Sequence, residues 1–248
     1  MKNNSLEEWL NYIERLHPKE IELGLERIEP LYHRIIKEPL ADKIIVVGGT
    51  NGKGTTVEYL SKLIRSDNKT VGTYTSPHLF DFNERIRING EKASNKEIVR
   101  SFREIEKVRG STQLTYFEFT TLVAFDLLYR KRLDVVVLEI GLGGRLDAVN
   151  VVNSDISILT NVELDHQDWL GNDKEAIGLE KAAIFRNKKP AILAHENFPN
   201  SVLDQANKIG AEIFRLGREF KFEVSKDKSE WDYFLNAEKH IESSIQNI

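Results

Sequence analysis

The residues most able to do chemistry sit together at positions 48–56, as Gly48-Gly49-Thr50-Asn51-Gly52-Lys53-Gly54-Thr55-Thr56. Glycines allow positive φ and close backbone approach, so successive N–H groups can turn into one concavity, which favours an anion. The strand-like run Lys43 to Val47 precedes the loop and a helical pattern follows it, which puts the concavity at a helix N-terminus, a natural seat for nucleotide phosphate. A helix end contributes only about half a charge, too little for a triphosphate. Lys53, expected to stand in solvent, adds a full charge, and the hydroxyl of Thr55 or Thr56 can hold a metal ion against the phosphates. The loop departs from the general G-x-x-x-x-G-K-[ST] pattern because Gly54 follows the lysine. Thr50, Asn51, Gly52, Lys53, Gly54 and Thr55 are the candidate nucleotide-binding residues.

Three further polar groups are expected at the same edge. Ser76 follows the strand Thr70 to Thr75, where Pro77 forces the chain out of the ladder; Glu139 ends the strand beginning at Val135; and His166 comes after Leu159-Thr160-Asn161. A strand-end glutamate often pairs with a nearby cation, and a single histidine is often a surface or core residue. Their joint placement beside a phosphate loop favours a site. With no cysteine in the chain, a metal must be held by oxygen or imidazole. Glu139 and His166, completed by Ser76 and a phosphate oxygen, form a set that suits Mg²⁺.

The elements that must position these groups are legible as alternating strands and helices. Ser5-Leu6-Glu7-Glu8 is a capping box for a helix that places Trp9, Leu10, Ile13 and Leu16 at helical spacing and stops at His17-Pro18; a second helical stretch ends near Pro39. Val57, Leu60, Leu63 and Ile64 mark the buried face of the helix after the phosphate loop. Capping boxes at Ser94–Glu97 and Thr115–Glu118 start helices to about Val108 and Tyr129. Val135 to Leu138 lacks alternation, as a strand covered on both faces does, and Asp155 to Thr160 reads likewise. A helix from Asp173 to Ile184, a strand from Pro190 to Ala194, a helix from Asn200 to Ile209 and a strand from Glu212 to Leu216 complete the pattern. This is a doubly wound α/β fold with a mostly parallel sheet, its ligands at the carboxyl ends of the strands. Residues 1–216 are expected to form this nucleotide-binding domain. Residues 217–248 are expected to hold a small antiparallel appendage, Phe220 to Val224 and Trp231 to Leu235, followed by a weakly held polar tail from Asn236 to Ile248.

Composition narrows the function classes. The 248 residues are 40% hydrophobic with a net charge of −4, and basic residues are scattered among acids, which argues against a nucleic-acid partner. No apolar run approaches membrane-spanning length, and the amino terminus has no apolar signal core, so a cytoplasmic, membrane-independent protein is expected.

Gly-Thr-Asn-Gly-Lys-Gly-Thr resembles the loop of the folylpolyglutamate and dihydrofolate synthases, the folate branch of the Mur-type amide ligases. So do Thr75-Ser76-Pro77-His78, the run Leu138 to Ala148 through Gly141-Leu142-Gly143-Gly144-Arg145, and the run Leu164 to Gly171. The match covers essentially Leu6 to Trp231. The resemblance implies ATP as nucleotide and Ser76, Glu139 and His166 as the Mg²⁺ ligands. It also implies a carbamate on Lys181, which by itself would be read as an exposed helix lysine, helping to hold a second metal ion. Lys53, Lys181 and His166 are the implied catalytic residues. Leu23, Gly24 and Leu25 match a substrate-contacting turn, and Thr115, Tyr116, Phe117 and Glu118 with Leu146, Asp147 and Ala148 are placed around the pterin of dihydropteroate. Tyr116 and Phe117 offer stacking faces, and a carboxylate can accept from the pterin's donor edge. Gly-Gly-Arg-Leu-Asp-Ala looks more like the bifunctional dihydrofolate-forming branch.

The implied reaction joins the amine of L-glutamate to the carboxylate of dihydropteroate or a folate. That carboxylate first takes the γ-phosphoryl group of ATP, and the acyl phosphate is then attacked by the amine. The family's second α/β domain is not found in this sequence. The chain is expected either to be incomplete as a ligase or to act as a nucleotide- and pteroate-binding module partnered by a separate chain supplying that domain.

Overall fold

In the computed structural model, which describes residues 5–19, 21–225, 230–236 and 238–244, local sequence signals set most element boundaries. Ser5 and Glu8 cap helix α1 (Leu6–Ile13) reciprocally. The helix stops before the expected His17, because Arg15 and Leu16 close tighter turns onto Tyr12 and Ile13. Helix α2 (Glu29–Ile35) has proline in its first turn and ends short of Pro39, where Ile36 turns extended. Strand β1 (Lys43–Gly48) leads through the glycine loop into α3 (Lys53–Ser66), then β2 (Val71–Tyr74). A 3-10 turn (Phe82–Arg85) precedes β3 (Ile86–Ile88) and β4 (Glu91–Lys92). Helices α4 (Asn95–Arg109) and α5 (Tyr116–Lys131) begin at the two expected capping boxes. There follow β5 (Val135–Glu139), β6 (Ile156–Leu159), α6 (Gln167–Leu170), α7 (Lys174–Ala182), β7 (Pro190–Leu193), α8 (Asn200–Ile209) and β8 (Glu212–Arg215).

The main sheet has eight strands in the order β4-β3-β2-β5-β1-β6-β7-β8, all parallel except that β3 is antiparallel to both β2 and β4. β1 is central, flanked by β5 and β6, and the chain winds to one side of it before returning to the other. Clefts open at the carboxyl ends of strands at such a switch point. Both faces are covered: Ile44 and Val46 join the larger core under α1, α2, α4 and α5, while Ile45 and Val47 pack with Val57 of α3 on the opposite face. The β-strand period of two divides one continuous apolar run between two cores.

Two expectations are corrected. Leu63 is 65% exposed, and Ser61 is buried with Val57 on that helix instead. At 3.6 residues per turn, position 63 lies about 120° round from Val57, off the face that Leu60 and Ile64 share. The second concerns the tail. The appendage is a three-stranded antiparallel sheet, β9 (Phe220–Val224), β10 (Glu230–Leu235) and β11 (Glu238–Ser244), so most of the expected tail is a paired strand. Asn236, at φ +49, begins the reversal that lets β11 run back along β10; residues 245–248 lie outside the described residues.

Candidate functional site

The loop after β1 has the curvature the glycines were expected to provide. Gly49 has φ +142, and a methyl group there would lie 1.8 Å from Thr160 Oγ1; Gly52, at φ +80, is the N-cap of α3. Thr56 donates its hydroxyl to Gly52 O at 2.9 Å, which leaves Thr55, exposed at the start of α3, with the hydroxyl that has no partner among the described residues. Lys53 is not free in solvent. Its side chain is half-buried and curls back to donate to Gly49 O at 3.0 Å and Thr50 O at 3.1 Å, because carbonyls left outward by the turn are the nearest acceptors. Gly54, the departure from the general loop pattern, sits against Glu139: a methyl group there would be 3.6 Å from Oε2.

Glu139 ends β5 opposite Val47 and is 5% exposed. Ser76 N donates to its Oε2 at 3.1 Å, so the ends of β2 and β5 meet beside the phosphate loop. Burial pushes its pKa up, opposed by the Ser76 N–H and the charges of Lys53 and Arg85. Among the described residues it makes no ion pair, and the Ser76 N–H is the hydrogen-bond donor it meets. A buried carboxylate without a bound counter-cation fits a metal ion. His166 is placed differently: it is exposed, at φ +48, with its imidazole 3.5 Å from Asp165, and no hydrogen bond or ion pair joins it to Ser76 or Glu139. Among the described residues no cluster of three or more His, Asp or Glu groups gathers as a metal cage.

Lys181, which the helix pattern alone makes exposed, is 3% exposed and donates to Gly49 O at 3.1 Å. Two lysines therefore share one carbonyl. Burial, followed by the nearby Lys53 charge, brings the Lys181 pKa down to about 8.

Beside Ser76 a cavity of about 800 Å³ opens between the 13–24 segment, the start of α5 and the 141–148 turn. It brings together Leu23, Gly24, Thr115, Tyr116, Phe117, Glu118, Leu146, Asp147 and Ala148 from three distant stretches; Leu25 packs toward the core instead. Gly24 N donates to Leu146 O at 3.2 Å, which fixes the first stretch on the third. The tip of the Phe117 ring abuts Gly141, where an added methyl would meet its Cζ at 2.5 Å. The carboxylates are largely committed. Glu118 takes the Thr115 N–H and hydroxyl and pairs with Arg27 at 3.0 Å, while Asp147 accepts from Leu142 N at 2.7 Å and Val149 N at 2.9 Å. Their first role here is to hold the cavity wall.

Sequence reasoning missed Arg85, which is 7% exposed, lines the cavity and lies over the Tyr116 ring at 5.5 Å. Its Nε donates to His78 Nδ1, and it has no carboxylate partner among the described residues. Its position between Phe82 and Ile86, on a face otherwise apolar, was the available signal. Arg27 was missed too, since its partner Glu118 is 91 residues away.

A family model for the Mur ligase middle domain matches residues 47–246. The dihydrofolate synthase/folylpolyglutamate synthase of Escherichia coli (strain K12) is 46% identical over 220 residues, 89% of this chain and 52% of that protein. Its counterpart in Haemophilus influenzae is 42% identical over 226 residues, 91% of this chain and 52% of that one. Among solved structures, E. coli FolC in complex with DHPP and ADP superposes with a TM-score of 0.92 at 43% identity, covering 96% of this chain and 57% of FolC. The bifunctional enzyme with Mn, AMPPNP and L-glutamate bound gives 0.89 at 44% identity, covering 96% and 57%. The chain thus spans about half the length of the curated relatives it matches.

Proposed function

The chain belongs to the Mur ligase family, and from that membership we propose that it serves an ATP-dependent amide ligation joining the amine of L-glutamate to the carboxylate of dihydropteroate or a folate. The observation that carries this reading is the path from an aromatic-walled cavity, past Ser76, to Glu139 and the phosphate loop. The complexes of the relatives with DHPP and ADP, and with AMPPNP, Mn and L-glutamate, support it.

A carboxylate is a poor electrophile, so its oxygen takes the γ-phosphoryl group and the amine then displaces phosphate from the acyl phosphate. The pterin ring stacks on Tyr116 and Phe117, with Leu23, Gly24, Leu146, Asp147 and Ala148 around it. Arg85, lacking an acidic partner among the described residues, gives the substrate carboxylate a counter-charge within the cavity. Lys53 leaves the loop carbonyls for the phosphates, and the amides of the first α3 turn hold them in line. Glu139 and Ser76 would hold Mg²⁺, as one or two ions, with His166 as a further ligand only if its exposed segment closes toward them, and the metal would supply charge neutralisation on the transferring group; the burial of Glu139 without an ion-pair partner among the described residues supports that role. Lys181, buried against Gly49 O with its pKa lowered to about 8, is suited to carbamylation: its neutral amine would add to CO₂ with loss of a proton, exchanging a buried cation for an anion that would help to hold a second ion. The setting is cytoplasmic. Among the described residues no helix is long and apolar enough to cross a membrane.

The chain's span favours a second reading for it alone, as a nucleotide- and pteroate-binding module that relies on a further domain, in the same or another chain, for turnover. Calorimetric titration with Mg²⁺-ATP and with dihydropteroate tests the site itself. Lys53→Ala is expected to abolish ATP binding and leave dihydropteroate binding intact; unchanged ATP affinity would refute the nucleotide assignment.

A further inference from the structure

The first half of the phosphate loop is tied to the segment after β6 by a dense set of hydrogen bonds. Thr50 N donates to Asn161 O at 3.2 Å and Asn51 N to Asn161 Oδ1 at 3.0 Å, while Asn161 Nδ2 donates back to Asn51 O at 3.3 Å. Thr160 Oγ1 reaches the same Asn51 carbonyl at 2.7 Å. Thr50 Oγ1 donates to Glu163 O at 3.2 Å and accepts from Glu163 N at 3.0 Å. The carboxamide of Asn161 thus engages both main-chain groups of Asn51, which requires an acceptor and a donor in one plane, as only an amide side chain offers. Two effects follow. The amides of Thr50 and Asn51 are spent on this segment, so the donors left for phosphate begin at Gly52. The same stitches also connect the loop to the stretch that carries His166, three residues beyond Glu163.

We propose that Asn161 is a positioning residue of the nucleotide site: it fixes Asn51, sets the curvature that presents the later amides to phosphate, and couples the loop to the His166 segment. This rests on reading residues 48–56 as the nucleotide loop. Asn161 touches no phosphate itself. Its loss frees a loop residue that must be re-ordered on binding, which corresponds to about a tenfold loss of affinity.

The test compares the wild-type chain with Asn161→Ala, Asn161→Asp and Lys53→Ala. It uses calorimetry with ATP and with tripolyphosphate, thermal melting, and amide hydrogen exchange at Asn51. Asn161→Ala should weaken both ligands by the same factor of about ten, speed exchange at Asn51, and shift the melting temperature by less than about 2 °C. Asn161→Asp keeps the acceptor and should keep the Asn51 amide protected. Full affinity in Asn161→Ala while Lys53→Ala binds poorly would overturn the proposal and leave the nucleotide loop standing. Full affinity in both variants would remove the nucleotide reading as well. A melting temperature that falls in step with affinity, or an Asn51 amide as exposed in the aspartate variant as in the alanine one, would overturn it too.

Discussion

Asp147 keeps only 2% of its surface exposed, and burial pushes its pKa up to about 6 despite the Leu142 and Val149 amides. An unfolded aspartate titrates near 3.9, so between about pH 4 and 6 the folded chain binds an extra proton here. Stability from this group is therefore complete below pH 4 and lost as pH rises through 6, by an amount on the order of 3 kcal/mol. Glu84, Glu97 and Glu219, each held down to about 2 by hydrogen bonds and lysine or arginine partners, act oppositely at lower pH. Asp147→Asn should remove the first effect alone. Melting curves from pH 4 to 7 are expected to show the variant gaining on the wild type up to about pH 6 and running parallel beyond; identical slopes throughout would contradict this. At this scale residue types announced the site, but not how their charges are spent. Lys181 reads as exposed because nothing local reveals that Gly144 packs against Glu180 and Lys181 so closely that a methyl would meet the Glu180 carbonyl at 2.6 Å.

Elements were legible where their determinants are local. The capping boxes at Ser5, Ser94 and Thr115 each close within three residues, and the apolar run of β1 leaves little choice but a strand covered on both faces. The 13–24 wall of the cavity was not legible, because long-range bonds place it: Gly24 to Leu146, and Arg27 to Glu118. Thr115 joins the two kinds of determinant. Its hydroxyl accepts from Glu118 N at 3.2 Å, and the same Glu118 anchors Arg27. Thr115→Ala should cost about 1 kcal/mol as a lost cap, a fall of about 2–4 °C in melting temperature. It should also weaken dihydropteroate binding, with Thr115→Ser restoring both. Loss of stability without any change in dihydropteroate affinity would show that the cap does not transmit to the cavity wall.

For the whole molecule, the doubly wound order with β1 at the switch point put the phosphate loop, Ser76 and Glu139 at one edge, as the alternation of strands and helices foretold, while Lys181 joins them from a helix whose pattern alone makes it exposed and His166, expected there, stands apart beside Asp165. β11 escaped notice because a polar strand paired on an edge carries no hydrophobic pattern. Acyl-phosphate chemistry depends on clamping three substrates away from water. The 248-residue chain by itself is therefore expected to bind ATP yet turn over glutamate and dihydropteroate far below about 1 s⁻¹. Leu79 and Phe80, 84% and 89% exposed just beyond Ser76, should make it self-associate with rising concentration in sedimentation velocity. Turnover at ordinary enzyme rates would contradict that expectation. The central claim, that cavity and phosphate loop form one site, is tested most directly by a crystal structure of the chain with a non-hydrolysable ATP analogue, Mg²⁺ and dihydropteroate. The account predicts phosphates on the amides of residues 52–55, the pterin against Tyr116 and Phe117, and the substrate carboxylate between Arg85 and Ser76. A pterin bound outside that cavity, or a carboxylate directed away from the phosphate loop, would contradict it.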